Sequence, residues 1–269
     1  MNRIRKNNNR IVWVTALLLL LAMLAAACKE GGSQPGVTGP AGSATPPSAS
    51  AGSGGQAAGQ PSAKAGGSGQ QPDTDPDSVA VIVNKQLALP DNYKPDDLVY
   101  PDVAFLFKEK MEKRMLRKEA ATALEQLFAA AEKDGNRLAG VSGFRSQATQ
   151  RILFNQYVQK DGEEKAKTYS AVPGHSEHQT GLAIDVSGIT GQCAVEDCFD
   201  GTPEAKWLAK HAHEYGFIIR FPKGKEEITG YQYEPWHIRY VGVKLAKDMT
   251  DRGVTLEEYF NAVPVSGKK

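Results

Sequence analysis

Cysteine is scarce, with three residues in a chain of 269. Cys28 stands alone, and Cys193 and Cys198 have four residues between them, too few thiols to build a cysteine-ligated metal centre. A charge excess is also missing. Lys+Arg number 32 against 31 Asp+Glu, and four of the basic residues fall within the first 28 positions. The remainder then carries 28 basic and 31 acidic side chains, a net of −3. That balance leaves no basic field for phosphate neutralisation and argues against a nucleic-acid partner. The chain has no internal repeat, no His-Glu-x-x-His helix and no Gly-x-Ser-x-Gly elbow. Its Ser-x-x-Lys, Ser266 to Lys269, falls at the extreme carboxyl end, where no pocket is expected. Serine-nucleophile hydrolysis is thereby disfavoured.

One long apolar run is present, over residues 11–27, interrupted by Thr15 and preceded by Arg3, Arg5, Lys6 and Arg10. A basic start, an apolar centre and a small-residue exit describe an export signal. Ala25-Ala26-Ala27-Cys28 resembles a bacterial lipobox, which implies cleavage after residue 27 and lipidation of Cys28. A retained membrane anchor is the competing reading, because the run is close to bilayer-spanning length. Both readings place the protein at the outer face of a bacterial cell membrane, facing the wall; free secretion is the third reading and leaves it untethered. Residues 28–77 are Gly, Ser, Pro, Ala and Gln with almost no bulky apolar side chain, and are expected to form a flexible tether. Such a segment has a root-mean-square span of about 40 Å. Residues 78–269 are expected to form one domain. Export permits a disulfide between Cys193 and Cys198, in a loop marked by Gly191, Asp197, Asp200 and Gly201.

Within that domain, residues 79–84 suggest a short strand or an extended lead-in. A helix is expected over 117–133, with Ala120, Leu124, Leu127, Phe128 and Ala131 on one stripe. A strand over 138–144 and a helix over 147–159 follow, the latter with Ile152, Leu153, Gln156 and Tyr157 on related faces. The connection over 161–176 turns at Pro173-Gly174. Thr202-Pro203 reads as a helix start and Gly216 as its left-handed stop. Strands are expected at 217–221 and 236–241, and helices at 244–251 and 255–261, the last opening with a Thr255/Glu258 capping box. The mixture lacks a regular βαβ rhythm. It predicts an α+β fold, a small antiparallel sheet carrying the site with helices packed around it.

The chemistry concentrates in Ser176-Glu177-His178-Gln179-Thr180-Gly181-Leu182-Ala183-Ile184-Asp185. Alternation puts Leu182, Ile184 and Val186 on one face of a strand and Asp185 on the other, with His178 on the turn before it. His237 arrives in Glu234-Pro235-Trp236-His237-Ile238-Arg239-Tyr240. Two imidazoles and a carboxylate suit an open zinc site with a fourth position for water. A hydrogen-bonded structural histidine is the bland alternative. Glu234 offers a base beside such a site, or is an exposed strand-edge carboxylate. His211 and His213, two apart on a helix, do not share a face and read as surface or packing residues. His175 lies near the site without a partner that gives it a role, and Trp236 and Tyr240 read as wall or core.

Ser176-x-His178-x-x-Gly181-x-Ala183-x-Asp185 followed by Glu234-x-x-His237 resembles the signature of zinc D-alanyl-D-alanine carboxypeptidases of the vancomycin-resistance type. That family shares its fold with lysostaphin-like peptidases and the hedgehog domain. The resemblance covers residues 83–263 and includes Ser142-Gly143-Phe144-Arg145-Ser146 with Gln150. It implies zinc held by His178, Asp185 and His237, Glu234 as general base and acid, and Arg145 at a substrate carboxylate, with Ser176 and Gln150 near the bound dipeptide. The implied substrate is a peptidoglycan stem peptide ending in D-Ala. An L,D-carboxypeptidase, an endopeptidase or a non-catalytic zinc module that binds wall peptides would use the same framework.

Overall fold

The computed structural model describes residues 71–262. The expected signal segment, Cys28, residues 28–70 of the tether and residues 263–269 lie outside the described residues. Hydrogen bonds of the domain reach back into the last part of the expected tether: Ile82 N–H donates to the Asp73 carbonyl at 2.8 Å, and Tyr93 O–H to that of Pro76 at 2.8 Å.

Two short strands, β1 (Leu98–Val99) and β2 (Leu116–Arg117), pair antiparallel ahead of helix α1 (Lys118–Lys133). Strand β3 (Leu138–Ser142), helix α2 (Gln147–Asp161) and helix α3 (Glu163–Tyr169) lead to a 3₁₀ turn, Glu177–Thr180, and strand β4 (Ala183–Gly188). Helix α4 (Pro203–His211), strand β5 (Phe217–Ile219), helix α5 (Glu226–Thr229), strand β6 (His237–Tyr240), helix α6 (Val243–Arg252) and helix α7 (Leu256–Tyr259) complete the described chain. The main sheet has the order β3-β4-β6-β5 and every pairing in it is antiparallel. The α+β expectation holds.

Periodicity explains most of these elements. The apolar stripe of α1 buries Ala120, Leu124, Leu127, Phe128 and Ala131 in one core with Leu182, Ile184, Val186 and Ile238. Burial of each such leucine or isoleucine contributes about 1.5–3 kcal/mol relative to exposure. A second cluster joins Ile82, Ile218 and Val241 to Met249, Leu256 and Phe260 of the carboxyl-terminal helices. Thr202 caps α4 by accepting from Ala205 N–H, Pro203 occupies its first turn, and Gly216 takes φ 83° where the following 3₁₀ turn stops. Thr255 and Glu258 form the capping box.

Two local expectations need correction, and a third is narrowed. Of the two readings of residues 79–84 the strand falls away: the carbonyls of Val79 and Val81 accept from the Arg239 guanidinium at 3.1 and 2.8 Å instead of from a neighbouring strand. Helix α2 buries Gln147, Gln150 and Phe154 and leaves Ile152 63% exposed, because glutamine hydrogen bonding overrides its weak apolar pattern. The 161–176 connection also contains α3, a largely polar helix supported by Lys167 bonds to Glu163 and Glu164.

Candidate active site

The sheet brings the two sequence motifs together by register. In the antiparallel ladder of β4 and β6, Asp185 lies directly opposite His237. Their side chains therefore share a face, away from the core side occupied by Ile184 and Ile238. His178 comes from the 3₁₀ turn that enters β4, which ends on Gly181 at φ 67°. The Cβ of any other residue at 181 would lie 2.8 Å from Leu98 and 3.1 Å from the Arg117 side chain.

All three side chains are buried, and donor atoms from each lie within 4.8 Å of one another. Asp185 Oδ2 is 3.4 Å from His178 Nε2, and Asp185 Oδ1 is 3.1 Å from His237 Nδ1. The other nitrogen of each ring is occupied. His178 Nδ1–H donates to the Gly143 carbonyl at 2.8 Å, and His237 Nε2 faces Glu177 Oε2 at 3.4 Å. Each ring thus has one nitrogen fixed by the protein and one turned to the shared point, the arrangement of metal-bound imidazoles with an outer hydrogen-bond shell. A divalent cation fits this donor set.

Glu234 is held beside this point by a tight turn in which His237 N–H donates to the Glu234 carbonyl at 3.2 Å. Its Oε2 lies 3.8 Å from His237 Nδ1. Burial pushes the Glu234 carboxyl up to about 8; His237 opposes the rise and the charges of Asp185 and Glu177 add to it. A buried carboxyl at this position can accept a proton and return it. The strand-edge alternative fails, since Glu234 is only 8% exposed.

Glu177 lies within the first motif, yet sequence reasoning gave it no role. Its Oε1 accepts from Arg220 Nε and Arg239 Nη1, both at 2.7 Å, while Oε2 faces His237. Burial by itself would raise this carboxyl, but Arg220 and Arg239 outweigh it and hold the group well below the usual carboxylate range. Arg220 is also gripped by both oxygens of Glu257 on α7, at 2.9 and 2.6 Å. One signal was available: residues 237 and 239 alternate on β6, so Arg239 shares a face with His237. Arg220 and Glu257 offered none without the topology.

Arg145 lines the same cleft as the histidines and Glu234. Its Nη1 donates to Gln150 Oε1 at 2.8 Å and its Nη2 to Ser142 Oγ at 3.1 Å; among the described residues it has no carboxylate partner within 4.0 Å. Ser176 also lines the cleft. Gln150 does not. It is fully buried behind Arg145, with its amide donating to the Ala171 carbonyl at 2.6 Å, and it orients the guanidinium. Tyr231 lines the cleft with a buried hydroxyl that has no hydrogen-bond partner. His175 lines it too, with Nδ1 fixed to the Asn84 carbonyl at 2.7 Å. The cleft holds about 120 Å³ and opens to solvent. Cys193 and Cys198 form a disulfide with a Cα–Cα distance of 5.5 Å. His211 bonds Glu214 at 3.1 Å and stacks on Trp207, a packing role as expected.

Two imidazoles, a carboxylate and a buried glutamic acid, gathered by two antiparallel strands and the turns that lead into them, fit a metal-dependent hydrolase. Known proteins narrow that class. The family model described as VanY, D-alanyl-D-alanine carboxypeptidase, matches residues 113–243. The putative carboxypeptidase YodJ of Bacillus subtilis (strain 168) is 54% identical over 188 residues, which are 70% of this chain and 69% of that protein. The LdcB LD-carboxypeptidase structure superposes with a TM-score of 0.68 at 52% identity, covering 73% of this chain and 92% of that one. A vancomycin-resistance D,D-pentapeptidase VanY, solved with Zn(II), superposes with a TM-score of 0.56 at 30% identity, covering 68% of this chain and 99% of that one. The chain belongs to the VanY family of zinc carboxypeptidases.

Proposed function

We propose that this protein removes the terminal D-Ala from peptidoglycan stem peptides. The observation that carries the reading is Arg145: a guanidinium with no carboxylate partner, fixed by Gln150 and Ser142 in the same small cleft as His178, Asp185, His237 and Glu234. A carboxypeptidase must hold a free carboxylate at a set distance from the scissile carbonyl, and guanidinium does so with two parallel charge-assisted bonds. The cleft opens to solvent, so a peptide end can enter it while the rest of the chain runs out through the open side.

His178 Nε2, Asp185 and His237 Nδ1 would hold the zinc ion. A bound zinc ion supplies Lewis-acid polarisation of the carbonyl and acidification of water. Glu234 takes the proton from the attacking water and delivers it to the leaving amine of D-Ala, a double role supported by its place beside His237. Glu177 keeps the His237 ring in position through its hold on Nε2. Arg145 binds the terminal carboxylate and sets which bond is presented.

Tetrapeptide L,D-hydrolysis is the finer reading favoured by likeness, since the LD-carboxypeptidase is 52% identical and the D,D-pentapeptidase 30%. D,D-cleavage of pentapeptides is the alternative, with endopeptidase action a third outcome. Incubating the purified chain with defined tetra- and pentapeptides and weighing the products decides among them. Loss of one Ala from the tetrapeptide supports the L,D reading, loss from the pentapeptide alone supports the D,D reading, and internal fragments refute both. We also propose that residues 1–27 direct export, that Cys28 carries the lipid and that the following segment tethers the domain outside the membrane, supported by the basic, apolar and small-residue order of the amino end.

A further inference from the structure

We infer that Val195 selects the substrate residue preceding the scissile bond, by giving that residue's aliphatic side chain an apolar contact. This rests on the D-Ala-releasing activity proposed above.

Val195 is an unusual residue for its conformation. It is β-branched and sits at φ 58°, in the left-handed region that favours glycine. Cys193, two residues earlier, has φ 58° as well. The loop is held in this shape from both sides. Cys193 packs against the main core, Phe199 is fully buried in it, and the Cys193–Cys198 bridge closes the segment between. Val195 projects from that closed segment: it is 43% exposed and belongs to neither core cluster. The fold therefore gains nothing from an isopropyl group where glycine would fit without strain. Strained backbone that the core does not require points to a function.

The cleft supplies one. Val195 lines it together with Glu234, His237 and Arg145. Leu153 and Tyr157 of α2 and Tyr169 of α3 line it as well. None of these four side chains has work to do in proton transfer, in metal binding or at the terminal carboxylate. An apolar lining beside a polar catalytic group matches a substrate that carries methylenes next to its scissile amide. In a stem tetrapeptide, the residue before the terminal D-Ala is a diamino acid with a long aliphatic stem; in a pentapeptide it is D-Ala, with one methyl group. Val195, presented by the disulfide-closed loop, favours the former.

Steady-state kinetics of the zinc-loaded full chain test this. The probes are peptides ending in D-Ala that differ only in the preceding residue, L-Lys or L-Ala, with a D-Ala-D-Ala peptide alongside. The wild type is expected to prefer the L-Lys peptide. Val195→Gly is expected to raise KM for that peptide about ten-fold, with kcat and the L-Ala peptide changed less than about two-fold. Because glycine relieves the left-handed strain, its Tm is expected between the wild-type value and about 3 °C above it. Replacing Cys193 and Cys198 together by Ser should reproduce the KM rise; a normal KM there overturns the presenting role of the bridge. A wild-type preference for L-Ala or for D-Ala-D-Ala overturns the inference while leaving D-Ala release intact. So does a Val195→Gly protein with unchanged KM, or one with lowered Tm and equal losses on all peptides. A wild type that releases D-Ala from none of the peptides refutes the proposed activity itself.

Discussion

Glu234 and Arg145 are separable by single substitutions because one moves protons and the other holds charge. Glu234→Gln keeps the shape of the buried side chain and removes its titration, so kcat should fall by about 10²–10⁴ while zinc content by atomic absorption stays at wild type. Arg145→Lys keeps the charge and loses the two-bond fork, so KM should rise by about 10–100-fold at little cost in Tm. Glu177→Ala removes the acceptor shared by Arg220, Arg239 and His237. It should cost about 3–5 kcal/mol in denaturant unfolding, because two buried guanidiniums lose a partner, and weaken zinc binding about 10–100-fold in a chelator competition. Spacing suggested His178 with Asp185 and Glu234 with His237 as two halves of a site, but joining them rested on the resemblance to the carboxypeptidase signature, because 52 positions separate Asp185 from His237 and only the sheet register pairs them. Glu177 was visible but unassigned, because its partners Arg220, His237 and Arg239 are 43, 60 and 62 positions away and only the topology gathers them. The burial of Gln150 was hidden for a different reason: a glutamine on a helix face gives no sign that its amide is spent on Ala171 and Arg145.

Strand β4 and the 3₁₀ turn before it set the site at the scale of elements. Gly181 permits the reversal that swings His178 back over Asp185. Gly181→Ala should cost about 1–3 kcal/mol, from the left-handed backbone and the close approach of Leu98 and Arg117, and should reduce zinc affinity at the same time. Calorimetry and metal titration of that variant check both losses; an unchanged zinc affinity would separate the turn from the site. Helices and strands with strong periods or clear caps, α1, β4, α4 and the Thr255 box among them, were readable in advance. Other regions were not. Residues 79–84 have the composition of a strand, but Arg239 captures the carbonyls of Val79 and Val81. Helix α3 carries almost no apolar signal, and only Ala166 is buried on it.

The described domain gathers His178, Asp185 and His237 from a turn and two strands at one buried point, so zinc held there should contribute to folding as well as to chemistry. Chelation is expected to lower Tm by several degrees and re-addition of zinc to restore it, by differential scanning calorimetry. At the amino end, Cys28→Ser should move the protein from the membrane fraction to the soluble one if the lipid anchor is as proposed. The central claim is that zinc, held by His178, Asp185 and His237, and Glu234 together release a terminal D-Ala. Its most direct test is D-Ala release by the purified chain from a defined stem tetrapeptide and pentapeptide, measured before chelation, after chelation and after zinc is returned. The expected result is one D-Ala per substrate peptide, abolished by chelation, restored by zinc, and lost in Glu234→Gln at full zinc occupancy. Release that survives chelation, or a fully active Glu234→Gln protein, would contradict the account.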